Sequence, residues 1–494
     1  MSDSNQTGTL AKKDSLIDFS GLITKIPLTK GKIICLIIAI LLPFACAQLT
    51  LPGAGEKAGI ALGICLSVIV AMFGGLVSCG PAGAILCFLG IVTGTLQPAV
   101  LTGSVGAGLF FQFVGLCTVG YGIESTPFGS RLAYLLLEKF GRKPRNVVII
   151  LLVVTAALSS VISNFATLVL MSTITHRILQ EMGVKPGNKF GAACMLAVVA
   201  GAATGGMGFL QGSIGVNMYS LNAIASSTKG GYTITAAQWA PIGWITLIIL
   251  LPIMAFIYLK CVKFTDSDVK LPESSYYREK LHELGPIGGS EIRWLVMMVT
   301  LVVLMIMGFT TLNLMLIFAF LAVCPGIGVT NTRDAFSKGI PWEVVFSCAT
   351  LAMLGTILEA NGVAAWLGNL LAPMLSGVSP LLMMLLLAGG AALMTNICIG
   401  GTYPTIAVFV SCTAPVIEML GYNPAIILMP AIIAISFTIC VYAQSTVYAN
   451  YVYGYYDVKE PVLPGILTSV AGVIVASLVC YFLAPVLWGT SLYL

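Results

Sequence analysis

Asn164 and Asn396 each stand inside a long apolar stretch directly after a hydroxyl residue, as Ser163-Asn164 and Thr395-Asn396. A second polar knot follows each of them 49 residues later, Gln211-Gly212-Ser213 and Gln444-Ser445-Thr446. Asn164 precedes Asn396 by 232 residues, and Ser213 precedes Ser445 by the same 232. No lysine, arginine, aspartate or glutamate lies between Arg145 and Arg177, or between Glu359 and Glu418. Catalysis would want perturbed acids, bases or nucleophiles here, and none is present, so the pattern speaks against an enzyme. Hydroxyls, carboxamides and glycine backbone remain. Such neutral oxygens coordinate Na⁺, while helix N-termini and amide hydrogens hold an anion; a neutral solute would fit the same groups. Small polar residues also glue helices together in membranes. Two pairs at one offset, each beside glycine, point instead to two homologous halves that share a carrier-type site.

Composition sets the surroundings of these knots. The chain has 494 residues, 58% hydrophobic and 9% charged, with a mean hydropathy of +1.00. An ordinary soluble domain carries about 25% charged residues, so the pattern predicts an all-α polytopic membrane protein embedded in a lipid bilayer. Residues 1–32 carry lysines without an apolar core and cleavage site, and read as a cytoplasmic tail. Seven of the fourteen cysteines (Cys35, Cys46, Cys65, Cys87, Cys117, Cys194 and Cys480) fall in apolar spans, where cysteine acts as a small hydrophobe. With no CxxC spacing and only His176 and His282, a cofactor or transition metal is not expected. The net charge of +5 lies in loops and reports orientation, not nucleic-acid binding.

The elements that must position the knots follow from hydropathy and charge. A first half covers residues 33–259, with spans in 33–123 and a basic amphipathic interfacial helix at 129–144. Residues 147–182 follow; their apolar stretch, Val147 to about Thr175, lies between Arg142, Lys143 and Arg145 on one side and His176, Arg177, Lys185 and Lys189 on the other. The positive-inside rule makes them a re-entrant hairpin with Asn164 at its tip, not a single span. A broken helix at 190–227 carries five glycines in the eleven residues Gly205 to Gly215, bare backbone that membrane proteins tolerate only beside a cavity or inside protein. A span at 238–259 and a basic linker at 260–293 close this half. The second half repeats the plan: spans in 294–358, an interfacial helix at 362–372, a hairpin at 377–415 with Asn396 at its tip, a broken helix at 422–452 and a last span at 462–488. Gly339 to Val458 contain no lysine or arginine, so the second hairpin is expected to enter from outside and the first from inside. The result is about 11 transmembrane helices plus two re-entrant hairpins in an inverted repeat, multi-pass in the cell (inner) membrane, N-terminus cytoplasmic and C-terminus outside.

At this point the residues resemble a known family, the divalent anion:sodium symporters, which handle dicarboxylates, citrate and sulfate. Gly339-Ile340-Pro341-Trp342 through Gly362 is similar to its Pro-Trp motif and the glycine that opens an interfacial helix. Ser163-Asn164 and Thr395-Asn396 resemble its Ser-Asn-Thr hairpin tips. Gly205 to Ser213 and Gln444 to Asn450 resemble its two Gly-Thr/Ser-Pro-Pro-Asn loops, and Asn423-Pro424 and Ala484-Pro485 to Gly489 fit as well. The likeness covers about residues 30–490. It implies one sodium site at Ser163, Asn164 and Gly212, and another at Thr395, Asn396, Ala443 and Gln444. It implies a substrate touched by Ser163, Asn164, Ser213, Thr395, Asn396, Ser445 and Thr446, and a homodimer whose transport domain moves as an elevator.

Phe165 and Ile397 occupy the substrate positions where the family has threonine, and both Pro-Pro pairs are replaced. Since those hydroxyls contact substrate carboxylates in the family, the expected cargo is a small organic anion. It is dicarboxylate-like, or else a sulfonate, monocarboxylate or sulfate, carried with Na⁺ or by sodium-independent exchange.

Overall fold

The computed structural model describes residues 30–105, 108–161, 164–210, 212–264, 274–307, 309, 311–340, 342–351, 353–375, 377–397, 402–437, 450–457 and 459–494. Among them the only β pairing is an isolated bridge between Tyr422 and Tyr493, so the fold is helical throughout. The first half contains α1 (Lys30–Ala47), α2 (Ala58–Phe73), α3 (Cys79–Thr93), α4 (Pro98–Val105), α5 (Gly108–Glu124), α6 (Phe128–Phe140), α7 (Pro144–Val161), α8 (Asn164–Glu181), α9 (Lys189–Gly205), α10 (Ile214–Ser227) and α11 (Ala236–Cys261). After α12 (Ser274–Glu283) come α13 (Gly289–Ile306), α14 (Thr311–Val323), α15 (Thr332–Asp334, continued by a π-helical turn), α16 (Trp342–Leu351), α17 (Met353–Ala360) and α18 (Val363–Leu375). The chain then forms α19 (Pro380–Ile397), α20 (Thr402–Thr405), a π-helical turn at Ile406–Val410, α21 (Ser411–Met419), α22 (Pro424–Ile435) and α23 (Val462–Trp488).

Local chemistry explains where the central helices start. Asn188 caps α9 by accepting from the Phe190 and Gly191 amides at 2.8 and 3.4 Å. Asn423 does the same for α22 from Ala425, with Pro424 pre-set for the first turn. Thr235 and Gln238 form a reciprocal capping box at the head of α11. Helices α9 and α22 are apolar all round and buried along their length, which makes them the two centres of the core. Outward-facing Phe44, Phe256, Phe320 and Phe482 lie on peripheral helices, where lipid replaces water as solvent.

Small residues set how the helices meet. An added methyl on Gly201 would press on the Leu152 carbonyl, and one on Gly205 would overlap the Ala156 carbonyl. This register makes α7 and α9 run parallel. Helix α8 ends just before the Asn188 cap of α9, so it returns toward the end from which α7 began. In the second half α19 packs on α22, and the Phe409 ring of the return arm folds back against Gly390.

One hydrogen bond recurs in both halves. Trp239 Nε1 donates to the Met207 carbonyl at 2.8 Å, and Ser469 Oγ donates to the Phe437 carbonyl at 2.9 Å. Each spans 32 residues, and they are related by one offset of 230 (239 to 469, 207 to 437). In both, the closing helix of a half grips the carbonyl backbone at the end of a broken helix.

Several boundaries differ from the sequence-based spans. Within the spans read in 33–123, α3 stops at Thr93, because Gly94 takes a left-handed conformation (φ +67°) and Pro98 opens a new helix. Pro144, expected in the interfacial helix, instead starts α7. The linker read at 260–293 is partly helical, as α12, and yields its last residues to α13. Among the described residues α7, α11 and α23 are long and apolar enough to cross a bilayer.

Candidate functional site

At the first tip four helix ends converge. α7 and α9 arrive with their carboxyl ends, and α8 and α10 depart with their amino ends. Carboxyl ends carry partial negative charge and favour a cation; amino ends carry partial positive charge and favour an anion. One junction of broken helices thus presents both kinds of pole without a charged side chain.

Asn164 is the first residue of α8 and the bond-maker at this junction. Its backbone N–H donates to the Gly212 carbonyl at 3.0 Å. Its Nδ2 donates to Ser213 Oγ at 3.3 Å. Gly212 is buried so tightly that an added methyl would lie 2.8 Å from both the Ser159 and Ser160 carbonyls. Glycine is required there because the loop backbone itself touches the end of α7. Ser159 Oγ, in turn, donates to the Ala202 carbonyl at 2.6 Å, locking α7 to α9 just below the break.

The loop that carries Gly212 is held from behind. Asn217, on the first turns of α10, reaches back with Nδ2 to the carbonyls of Gly206 (2.9 Å), Phe209 (3.2 Å) and Leu210 (3.4 Å). Trp239 takes the Met207 carbonyl, and Trp244 meets the Phe209 ring edge-on at 5.5 Å. Five glycines would leave this segment loose, and these polar and aromatic contacts fix it. The spacing of the sequence does not single out Asn217. Its part in shaping the junction depends on three carbonyls that no spacing rule brings together.

The second tip is arranged differently. Thr395 and Asn396 lie in the last turn of α19, not at the start of a half-helix. Thr395 Oγ1 donates to the Ala391 carbonyl at 2.7 Å, and Asn396 Nδ2 donates to the Ala392 carbonyl at 2.8 Å. Both therefore sit at a carbonyl pole, the kind that attracts a cation. Phe165 is the second residue of α8 and Ile397 the last of α19. Ser163, Gln211, Ala443, Gln444, Ser445, Thr446 and Tyr448 lie outside the described residues.

Contacts between the halves tie their helices together. Asn450 Nδ2 donates to Ser172 Oγ on α8 at 2.8 Å and to the Met195 carbonyl on α9 at 3.1 Å. His176 Nδ1 and Tyr455 Oη are 3.2 Å apart, and Tyr453 lies against the same imidazole. In the other direction, Glu418 accepts from the Lys229 and Gly230 amides at the end of α10. Among the described residues no group of three or more His, Cys, Asp or Glu is placed to hold a metal, so a cation here would meet neutral oxygens.

The family model of the sodium:sulfate symporter transmembrane region matches residues 30–492. The chain is 24% identical over 433 residues to a sodium-dependent dicarboxylate transporter, SdcS, of Staphylococcus saprophyticus, covering 80% of each chain. It is 23% identical over 434 residues to SdcS of Staphylococcus aureus, again over 80% of each. Two solved structures share its fold at 13% identity. Neisseria gonorrhoeae MtrF, from a class of antimetabolite efflux pumps, has a TM-score of 0.55 over 90% of this chain and 97% of its own. The Alcanivorax borkumensis YdaH transporter has a TM-score of 0.51 over 89% and 100%. The family expected from the hairpin motifs is thus confirmed by a match along almost the whole chain: this polytopic membrane protein belongs to the sodium:sulfate symporter family, a family of transporters and not of enzymes.

Proposed function

We propose that the chain is a secondary active carrier of a small organic anion, driven by Na⁺ through elevator-type alternating access. The observation that carries this reading is the pair of bonds from Asn164 to the Gly212 carbonyl and the Ser213 hydroxyl. They join a helix break in one element to a glycine loop in another, at a meeting of positive and negative helix poles. In this reading Ser163, Asn164 and the Gly212 backbone hold one Na⁺, and Thr395, Asn396, Ala443 and Gln444 hold another. The anion lies between the tips against Ser163, Asn164, Phe165, Ser213, Thr395, Asn396, Ile397, Ser445 and Thr446. The protein works as a homodimer in the inner membrane, its N-terminus in the cytoplasm and its C-terminus outside. α7–α8 and α19–α21 act as oppositely oriented re-entrant hairpins.

Uptake of radiolabelled succinate, sulfate and a small sulfonate into proteoliposomes, with external Na⁺ replaced by K⁺ or choline, tests this. Saturable uptake that collapses without Na⁺ is the expected result. Initial rates that are indifferent to Na⁺ but require internal anion would replace symport with exchange.

A further inference from the structure

The carboxamide of Asn217 is fully buried, and only one end of it is satisfied. Its nitrogen is surrounded by the carbonyls of Gly206, Phe209 and Leu210. Three acceptors on one side fix which end of the amide faces the loop. Oδ1 is therefore turned away from them, and it has no hydrogen-bond partner among the described residues. Asn450, which stands at the end of the matching loop in the second half, divides its amide in the same way. Its nitrogen serves Ser172 and Met195, and its Oδ1 has no partner among the described residues. An unsatisfied buried acceptor costs about 1–3 kcal/mol, and here it recurs in both halves. A neutral carboxamide oxygen repels an anion and suits a hard cation. Asn217 is also coupled to the tip: its backbone N–H donates to the Ser213 carbonyl at 2.8 Å, and the Ser213 hydroxyl receives Asn164.

We propose that Asn217 Oδ1 is a further ligand of the cation at the first tip, while Nδ2 of the same side chain holds the loop in shape. The inference rests on the sodium-coupled reading and adds a residue to it.

Thermal unfolding of the purified full chain in detergent tests it, with NaCl titrated against choline chloride at constant ionic strength. Wild type should show a saturable, Na⁺-specific rise in Tm. Asn217→Ala should raise the half-saturating Na⁺ concentration about tenfold or more. Asn217→Asp loses both amide hydrogens but keeps the oxygen, and should restore half-saturation to near wild type. An alanine variant with unchanged half-saturation would overturn the proposal and assign the oxygen to a buried water. So would an aspartate variant as impaired as alanine, since the grip of the nitrogen on the loop would then be the whole effect. If the alanine variant does not accumulate, the aspartate variant decides alone: a sodium response supports the ligand, and none opposes it. A wild type blind to Na⁺ would sink the sodium reading itself. A wild type that responds, with Asn164→Ala weakening the response and Asn217→Ala leaving it intact, would sink only the proposal.

Discussion

Arg131 and Glu291, 160 residues apart, form a buried two-pronged ion pair, Nε to Oε1 at 2.9 Å and Nη2 to Oε2 at 3.1 Å. The guanidinium also donates to the Leu284, Gly285 and Pro286 carbonyls, and Glu291 accepts the Gly288 amide. The pair fastens helix α6, which leads into α7, to the turn that opens the second half. Removing one partner of such a pair strands a buried charge, a cost of about 3–5 kcal/mol, whereas removing both with apolar replacements costs far less. Arg131→Met should therefore lower Tm strongly, and Arg131→Met with Glu291→Leu should recover much of the loss. Additive effects in that double-mutant cycle would mean the two side chains do not act as a unit.

The same pair makes a pH prediction. The hydrogen bond from Arg131, chiefly, holds the Glu291 carboxyl below its ordinary value of 4.5. A carboxyl depressed in the folded state adds stability above the unfolded pKa, and that stability fades as pH falls through the folded pKa. The Tm gap between wild type and Glu291→Gln should be widest near neutrality and narrow below about pH 4.5. A gap that is constant from pH 7 to pH 4 would show that ionisation of Glu291 is not what stabilises the fold.

Gly212 and Gly389 provide a contrast in backbone packing. A methyl on Gly212 meets three carbonyl oxygens (Ser159, Ser160 and Gly206) at 2.8–2.9 Å, all of them backbone atoms that cannot swing aside. A methyl on Gly389, inside α19, meets nothing within 4 Å. Gly212→Ala should cut uptake by about tenfold or more, as expected when a site is displaced by a fraction of an ångström. Gly389→Ala should be neutral, or stabilising by up to about 1 kcal/mol from helix propensity. Normal uptake by Gly212→Ala in proteoliposomes would mean that the loop does not need its close seat on α7.

Much of this was legible in the sequence because it is written in spacing. The 49-residue interval between Asn164 and Ser213 marked two residues that lie in hydrogen-bond contact, and the five glycines of Gly205 to Gly215 marked the break that separates α9 from α10. What spacing does not record is which pole of a helix a residue occupies. Asn164 begins α8, whereas Asn396 lies in the last turn of α19, although both follow a hydroxyl residue in an apolar run. Nor does spacing reveal partners assembled from afar. Arg131 read as one more basic residue on an amphipathic helix until Glu291 and three carbonyls closed around it. Nor does spacing mark Gly94, whose left-handed conformation (φ +67°) ends α3.

Orientation can be tested at two exposed positions. Lys263 follows α11 and Ser379 precedes α19, and both side chains are open to solvent. In a background freed of native cysteines, Lys263→Cys should react with an impermeant maleimide only from the cytoplasmic side and Ser379→Cys only from outside. Labelling of both from one side would end the inverted arrangement of the hairpins.

Asn164→Ala and Asn396→Ala should abolish uptake yet leave expression and Tm close to wild type. Each carboxamide stands at a helix end where no ionisable side chain can replace its oxygen. If these asparagines only joined helices, each would be worth about 0.6 kcal/mol of stability, and uptake would persist. Uptake and Tm measured on the same preparations separate the two cases.

The last prediction concerns cargo. Phe165 follows Asn164 in the first turn of α8, and Ile397 follows Asn396 at the end of α19. In the family that the motifs resemble, both positions hold threonine. A hydroxyl there would add a donor beside each tip, and a dicarboxylate has a second carboxylate that would otherwise enter the site unpaired. An unpaired carboxylate in a water-poor cavity is strongly disfavoured, so the native pair Phe165 and Ile397 should favour smaller or partly apolar anions. Phe165→Thr with Ile397→Thr should shift competition toward succinate and away from small sulfonates by about tenfold, the scale of one hydrogen bond to a charged group. Competition against succinate, citrate, sulfate and a small sulfonate reads this directly. An unchanged inhibition profile in a variant that still transports would show that these positions do not choose the cargo, and the substrate site drawn through them would have to be redrawn.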